Sequence, residues 1–164
     1  MVEFDAEAYN AASNLFRSAQ MVRKSLPSII AQISDSVDML GSKPLDGMPR
    51  ARSNDNGVEN FMVGHVELLE RLQAKRDEYR RIQTDCERVV ESMEDDCDDN
   101  GAFLRYHFMQ GMTQGEAAQR CGYVRDYGKE KLEIAIVHAA KHVRKLGLVA
   151  RYSYPFTDLP ANMV

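Results

Sequence analysis

The chain has 164 residues, of which 44% are hydrophobic and 28% charged, and its formal net charge is −4 at pH 7. This length fits one domain or two small ones, and the apolar content can supply a buried core. No apolar run approaches the roughly 20 residues of a membrane span, so we expect no membrane association. The acidic N-terminus lacks the features of a secretion signal, so we expect a cytoplasmic protein. Three widely spaced cysteines favour the same location: Cys86, Cys97 and Cys121.

A first long helix is predicted before Gly41, because apolar residues recur there at steps of three and four in a nearly heptad, coiled-coil-like stripe. Pro27 interrupts this stripe, and an interior proline loses a backbone hydrogen bond, so we expect a kink or a break at residues 24–26. Glycines, prolines and short polar residues predict a loop over residues 41–57. The stripe consists of Ala12, Leu15, Ala19, Val22, Leu26, Ile29, Ile33, Val37 and Leu40.

A second stripe at the same spacing predicts a second long helix, which should pair with the first as an antiparallel hairpin. The same stripe could instead pair with a second copy of the chain, so a homodimer stays open. Acidic residues at 94–99 should end this helix, because carboxylates are unfavourable at the negative end of the helix dipole. The second stripe comprises Phe61, His65, Leu68, Leu72, Lys75, Tyr79, Ile82, Cys86, Val89 and Met93.

The C-terminal part has the spacing of a helix-turn-helix. Thr113 and Glu116 can form a capping box, so a helix should begin near Gln114. Ala118 keeps two helices close, and Gly122, four residues later, can take the positive φ of a tight turn. A third helix follows, with an apolar stripe of Leu132, Ala135, Ile136, Ala139, Val143 and Leu146.

The predicted fold is therefore all-α, with a long antiparallel hairpin over residues 1–98, a helix-turn-helix over residues 99–147 and a tail over residues 148–164. Charge is unevenly divided among these parts. Residues 1–98 carry 12 Lys and Arg against 19 Asp and Glu, whereas residues 99–151 carry 9 against 5. The basic region coincides with the helix-turn-helix, which favours binding to phosphate. The alternative is a three-helix core with an unevenly charged surface.

One set of residues resembles the sigma factor region four helix-turn-helix of small phage and prophage late transcription regulators of the ArpU and RinA type. The motif covers about residues 102–146, and a proline-containing loop at residues 47–50 matches in layout. The resemblance implies a DNA-binding transcription regulator that binds promoter DNA and contacts RNA polymerase. It depends on Leu104, Arg105, Tyr106, Gly111, Thr113, Glu116, Ala117, Ala118, Gly122 and Tyr123.

Two positions depart from that pattern. Val124 stands where a Ser or Thr usually caps the third helix, and a missing cap costs ~1 kcal/mol. Gly128 stands where a β-branched residue usually faces the core, and a helical glycine costs ~1 kcal/mol relative to alanine. We expect a loose start to the third helix, with Tyr123 or Tyr127 filling the space above Gly128.

The candidate DNA-binding residues lie on two elements. Thr113 and Gln114, at the start of the scaffold helix, are suited to phosphate contacts. On the third helix, the basic side chains could reach guanine edges or phosphates, and the acidic ones could accept from cytosine or repel the backbone. These outward residues are Arg125, Asp126, Lys129, Glu130 and Glu133. Arg50 and Arg52 in the loop could add contacts, although solvation is the commoner state of loop arginines.

Catalytic and metal sites are not expected. His138 and His142 lie one helical turn apart but have no evident third ligand, so we predict no metal and no cofactor. No phosphate-binding glycine loop or nucleophile motif appears, so we predict no enzyme. The alternative functions are a phage packaging or assembly protein, similar to a small terminase subunit, and a protein-interaction module that uses the helix-turn-helix fold without reading DNA.

Overall fold

The computed structural model describes residues 3–41 and 55–154, and every regular element in these ranges is helical. The predicted all-α class is confirmed. Within the described ranges, no helix combines the length and the apolar character needed to cross a bilayer. The helices are α1 (Ala6–Gly41), α2 (Asp55–Asp95), α3 (Asn100–Leu104), α4 (Gln114–Arg120) and α5 (Gly128–Lys145), with a π-helical turn at Arg105–Met109 and a 3₁₀ turn at Arg125–Tyr127.

A kink or a break was predicted at residues 24–26; α1 continues through Pro27, so the break is wrong, and the kink stays a prediction. Proline removes one backbone donor and strains the preceding turn, at a cost of ~3 kcal/mol. Leu26 and Ile29, on either side of it, are buried, whereas the proline ring faces solvent. Burial of the apolar stripe therefore offsets the local cost and keeps the helix continuous.

The predicted loop is shorter at its C-terminal end than expected. α2 begins at Asp55, so residues 55–57 belong to a helix. The remainder of the loop, including Arg50 and Arg52, lies outside the described residues.

Contacts divide the chain into two compact units. The first unit combines residues up to Lys24 with residues from Arg81 onward, and the second unit comprises residues 25–80. The predicted boundary at residue 98 falls inside the first unit. The acidic segment before it does end α2, which stops at Asp95.

The core of the first unit uses both predicted stripes. The thiol of Cys86 on α2 lies 3.8 Å from the carbonyl oxygen of Leu15 on α1. Phe16 packs against Phe108 with ring centroids 5.5 Å apart. α3 and α5 close the same core with Phe103, Leu104, Ala135, Ile136, Ala139 and Val143, all of them buried.

In the second unit, only part of each stripe is buried. Leu26, Ile29, Ile33 and Tyr79 are buried, and the ring of His65 approaches the carbonyl oxygen of Ser36 at 3.1 Å. Three stripe residues that were expected to pack are instead 45–63% exposed: Val37, Phe61 and Leu68. Residues 61–69 are apolar on nearly every side of the helix, and one neighbouring helix can cover only one side.

The segment after α5 folds back on the first unit. Gly147, at φ +70°, ends α5, and Leu148, Val149 and Tyr152 are buried beyond it. The Tyr152 hydroxyl donates to Oδ2 of Asp85 at 2.6 Å, and Arg151 pairs with the same atom at 2.8 Å. Burial, and then the bond to Asp85, raise the pKa of Tyr152 well above its usual range, so the hydroxyl remains a donor. Residues from 155 onward lie outside the described part.

Removal of the Tyr152 hydroxyl tests this closure. Tyr152→Phe removes one hydrogen-bond donor from the buried carboxylate of Asp85. A hydrogen bond to a charged group contributes about 1.5–3 kcal/mol to the free energy of unfolding. We expect the free energy of unfolding, measured by urea denaturation, to fall by about that amount. Tyr154→Phe is the matched control, because Tyr154 is 84% exposed and should tolerate the same change. Equal stability of the two variants would contradict the assignment.

Candidate nucleic-acid interface

The start of α4 is fixed by a reciprocal capping box. The Thr113 hydroxyl accepts from the backbone N–H of Glu116 at 3.2 Å, and the Glu116 carboxylate accepts from the backbone N–H of Thr113 at 2.9 Å. The bond from the Thr113 backbone lowers the pKa of Glu116, which keeps the carboxylate ionised as an acceptor. The predicted helix start at Gln114 is confirmed.

The turn after α4 is held by backbone bonds that only a positive φ permits. Gly122 adopts φ +86°. Its N–H donates to the carbonyl of Gln119 at 3.0 Å, and the N–H of Tyr123 donates to the carbonyl of Ala118 at 2.9 Å. This is the Schellman arrangement that ends helices at a glycine. The predicted role of Gly122 is confirmed, and Ala117 and Ala118 are fully buried.

A buried lysine braces the far side of this turn. Lys131 is only 4% exposed, and its ammonium group lies 4.4 Å from the ring centroid of Tyr123 and 3.5 Å from the Asp99 carboxylate. The Tyr123 hydroxyl donates to Asp99 at 2.9 Å. Lys131 therefore stabilises the turn and is not among the cations available to a ligand.

α5 begins at Gly128, three residues after Arg125. Arg125 and Asp126 lie in the 3₁₀ turn, so of the outward residues assigned to the third helix only Lys129, Glu130 and Glu133 are on it. All five are exposed, as predicted. Neither Val124 nor Tyr127 caps this region with a side chain, which confirms the missing cap.

Gly128 has a different role from the one predicted. A Cβ atom at this position would lie 2.6 Å from the carbonyl oxygen of Gln114 and 3.0 Å from the backbone nitrogen of Gly115. No space is left above Gly128 for either tyrosine; Tyr123 and Tyr127 pack on each other, with ring centroids 5.4 Å apart. Glycine is required because the two helix starts meet backbone to backbone.

The side chain of Arg125 lies across the first turn of α4. A Cβ atom at Gly115 would lie 2.5 Å from Cγ and 3.0 Å from Nε of Arg125. The absence of a side chain at Gly115 therefore gives Arg125 its place beside Gln114. Arg125 is exposed and forms no ion pair among the described residues, but its charge is near enough to the Glu116 carboxylate to contribute to the lowered pKa of that group.

Lys129, Gln114 and Glu133 are brought together at one depression of about 250 Å³. Phe108 and Ile136 supply apolar wall, and α1 contributes Arg17. Asp126 and Glu130 are exposed but do not line this depression. Three of the seven predicted residues thus line one depression, whereas the other four, Thr113, Arg125, Asp126 and Glu130, do not.

Two arginines of α1 were not predicted as site residues. Arg17 lines the depression of Lys129, and the guanidinium of Arg23 lies against Gly111, where a Cβ atom would be 2.5 Å from Nη1. Both lie outside the apolar stripe of α1, so the sequence offered only the mild signal of cations on an otherwise acidic N-terminal part. Their contacts with distant segments depend on tertiary packing.

Some cations of the first unit already have carboxylate partners, and others do not. Arg105 pairs with Glu87 at 2.6 Å and with Glu94 at 3.2 Å, and Arg144 pairs with Asp5 at 2.8 Å. Within the described part of the chain, no ion pair is formed by the four cations around the start of α4: Arg17, Arg23, Arg125 and Lys129. Their positive charge is therefore available to a ligand.

The two histidines of α5 have structural partners. Nδ1 of His138 lies 2.7 Å from Asp98, and Nδ1 of His142 lies 2.7 Å from the Ser92 hydroxyl. They join α5 to the end of α2 and the loop that follows. Across residues 3–41 and 55–154, no three His, Cys, Asp or Glu side chains gather as metal ligands would.

Comparisons with known protein families, with curated proteins and with solved structures find no match to this chain.

Gly128→Ala tests the backbone contact between α4 and α5. Alanine raises helix propensity by ~1 kcal/mol, but its methyl group would overlap the Gln114 carbonyl, and overpacking costs about 1–3 kcal/mol. We expect lower stability in urea denaturation. Gly64→Ala is the matched control, because Gly64 is also helical and has open space around it, so it should gain ~1 kcal/mol. A stabilised Gly128→Ala variant would exclude the close approach.

The Asp98 carboxylate gives a pH-dependent prediction. Burial opposes its ionisation, but hydrogen bonds from His138 and Asn100 outweigh burial and lower the pKa of Asp98. Because the folded pKa is depressed, the stabilisation is present above the unfolded value and is lost as pH falls through the folded value. Asp98→Asn should lower the melting temperature at pH 7 and have a smaller effect near pH 3. Asp35→Asn, at an exposed position on α1, should show no such difference.

Proposed function

We propose that this chain is a sequence-specific DNA-binding transcription regulator of phage or prophage origin. In this proposal, α4, the Gly122 turn and α5 form a helix-turn-helix, and residues 125–133 read duplex DNA. The capping box, the turn and the Gly128 contact support this assignment, since together they fix the start of α5 against α4. The α1 and α2 contacts within each unit support the predicted helical hairpin.

The observation that carries the proposal is a pair of unpaired cations on either side of the start of α4. Arg125 lies across Gly115, and Lys129 shares a depression with Gln114. Cations held near a rigid element without a protein carboxylate leave their charge for phosphate or for guanine edges. Elsewhere in the first unit, Arg105 and Arg144 already have carboxylate partners.

Each predicted residue has a role in this interface. Arg125 and Lys129 contact guanine edges or phosphates. Thr113 and Gln114 contact phosphates and so position the protein on the DNA backbone. The carboxylates accept hydrogen bonds from cytosine amino groups where the DNA sequence places a cytosine beside them. At other sequences they repel the DNA phosphate backbone. Asp126, Glu130 and Glu133 would therefore lower nonspecific affinity relative to specific affinity.

Two further partners belong to the proposal. RNA polymerase follows from the resemblance to sigma factor region four. A second copy of the chain follows from the exposed apolar residues of the second unit, Val37, Phe61 and Val63, which are 49–63% exposed. The same residues favour the second candidate function, a packaging or assembly protein. The subunit number in sedimentation equilibrium separates them, because one or two copies fit a regulator and a ring of many copies fits packaging.

Fluorescence anisotropy with duplexes tiled across the genomic neighbourhood tests DNA reading. The full chain should bind one fragment in the presence of competitor duplex. The Arg125→Ala, Lys129→Ala double variant should bind that fragment about 10- to 100-fold more weakly, because a good base contact contributes about 1–3 kcal/mol of discrimination. A Lys141→Ala, Lys145→Ala variant is the control, since it removes the same charge from exposed positions farther along α5.

Circular dichroism first establishes that both double variants remain folded. Equal loss of affinity in the two would show that only net charge matters and would contradict sequence reading. Feeble binding of the full chain to every fragment would remove DNA as the partner and leave a protein-interaction module.

A further inference from the structure

We propose that the DNA-binding surface extends onto α1, where Arg17 and Arg23 bind backbone phosphates beside the bases read by residues 125–133. The inference deepens the proposed function and rests on it. It adds a contact surface from an element far from the helix-turn-helix in sequence. Its partner is the phosphate backbone of duplex DNA.

Arg17 faces Lys129 across one depression. The two cations come from α1 and α5 and line the same space of about 250 Å³ as Gln114. Arg17 is exposed, and it forms no ion pair among the described residues. Glu133 also lines the depression but is not within ion-pair distance of either cation. One phosphate between Arg17 and Lys129 would compensate both charges.

Arg23 is held at the other end of the segment that leads into α4. Gly111 has φ +77° and no side chain, and the Arg23 guanidinium occupies the place where a Cβ atom would project. Nε of Arg23 is buried and has no hydrogen-bond partner in the described part of the chain. An arginine placed this way has lost part of its hydration without gaining a partner.

The carboxylate that could neutralise Arg23 is already engaged. Arg23 and Glu87 line one cavity of about 340 Å³, together with Gln83 and Thr84. Glu87 accepts from Arg105 at 2.6 Å, and the side-chain bonds to Glu94 and then Glu87 raise the pKa of Arg105. Glu87 thus pairs with Arg105, and no ion pair between Glu87 and Arg23 is formed.

The two arginines flank a short stretch of chain. Arg23 lies at Gly111 and Arg17 beside Gln114, and three residues span at most ~10 Å. Arg125 covers the next residue, Gly115. The unpaired cations thus lie at successive points of the segment from Gly111 to Gly115. Contacts from several such cations to phosphates would position a protein on DNA without reading sequence.

The salt dependence of DNA binding tests the inference. With the duplex selected by the full chain, the logarithm of the binding constant is measured against the logarithm of salt concentration for Arg17→Gln, Arg23→Gln and the double variant. Each lost phosphate contact should reduce the slope by ~0.9, so the double variant should lose ~1.8. Affinity should fall by the same factor for cognate and unrelated duplexes, because phosphates carry no sequence information.

Two variants serve as controls. Lys24→Gln removes the same charge from the exposed position next to Arg23, at a residue that lines neither cavity, and should leave the slope unchanged. Arg23→Lys keeps the charge and should retain most of the slope. If Arg23→Gln unfolds, the inference is still tested by Arg23→Lys and by Arg17→Gln alone.

The outcomes separate this inference from the proposed function. If the Arg17 and Arg23 variants have the slope of the Lys24→Gln control while the Arg125→Ala, Lys129→Ala variant loses binding, the α1 contacts are overturned and DNA reading stands. If the full chain shows no salt-dependent binding to any duplex, the proposed function itself fails. A reduced slope with unchanged preference among duplexes supports both.

Discussion

The backbone contact between Gly128 and Gln114 is the constraint on which the proposed interface depends. It brings the first residue of α5 to the first residue of α4, closer than any side chain would allow. Arg125, in the preceding turn, is consequently laid over Gly115, and Lys129, in the following turn, reaches the depression beside Gln114. Both glycines therefore allow a close contact: the side chain of Arg125 lies against Gly115, and the backbone of Gln114 lies against Gly128.

Ionic pairing within the first unit determines which charges remain for a ligand. Asp5, Glu87, Glu94 and Asp85 are all taken by arginines outside the proposed interface. This pairing leaves unpaired cations around the start of α4 in a chain whose net charge is −4. Each internal ion pair removes a carboxylate that would otherwise compete with phosphate for a cation. Overall charge is therefore a poor guide to the partner of this protein.

Local features of the fold were predictable from sequence, and contacts between distant segments were not. The capping box at Thr113, the turn at Gly122 and the buried stripe of α5 each depend on a few neighbouring residues. Gly128 was misinterpreted because its neighbour, Gln114, lies in another helix. The break that was one of the two expectations at Pro27 does not occur for a related reason, since packing outweighs a local penalty. The exposure of Arg125, Asp126, Lys129, Glu130 and Glu133 was predicted from their spacing after Gly122. The contacts of Arg17 and Arg23 depend on the folded chain.

The first unit is discontinuous in sequence, and this has a consequence for biosynthesis. Residues 25–80 form their unit from one uninterrupted stretch, whereas the first unit needs α1 up to Lys24 as well as Tyr152, whose carbonyl accepts from Asn14. Contacts of such wide sequence separation form late and slowly. On the ribosome, the apolar side of early α1 is therefore translated long before its partners. Leu15 and Phe16 therefore lack their buried environment until the C-terminal part of the first unit has been synthesised.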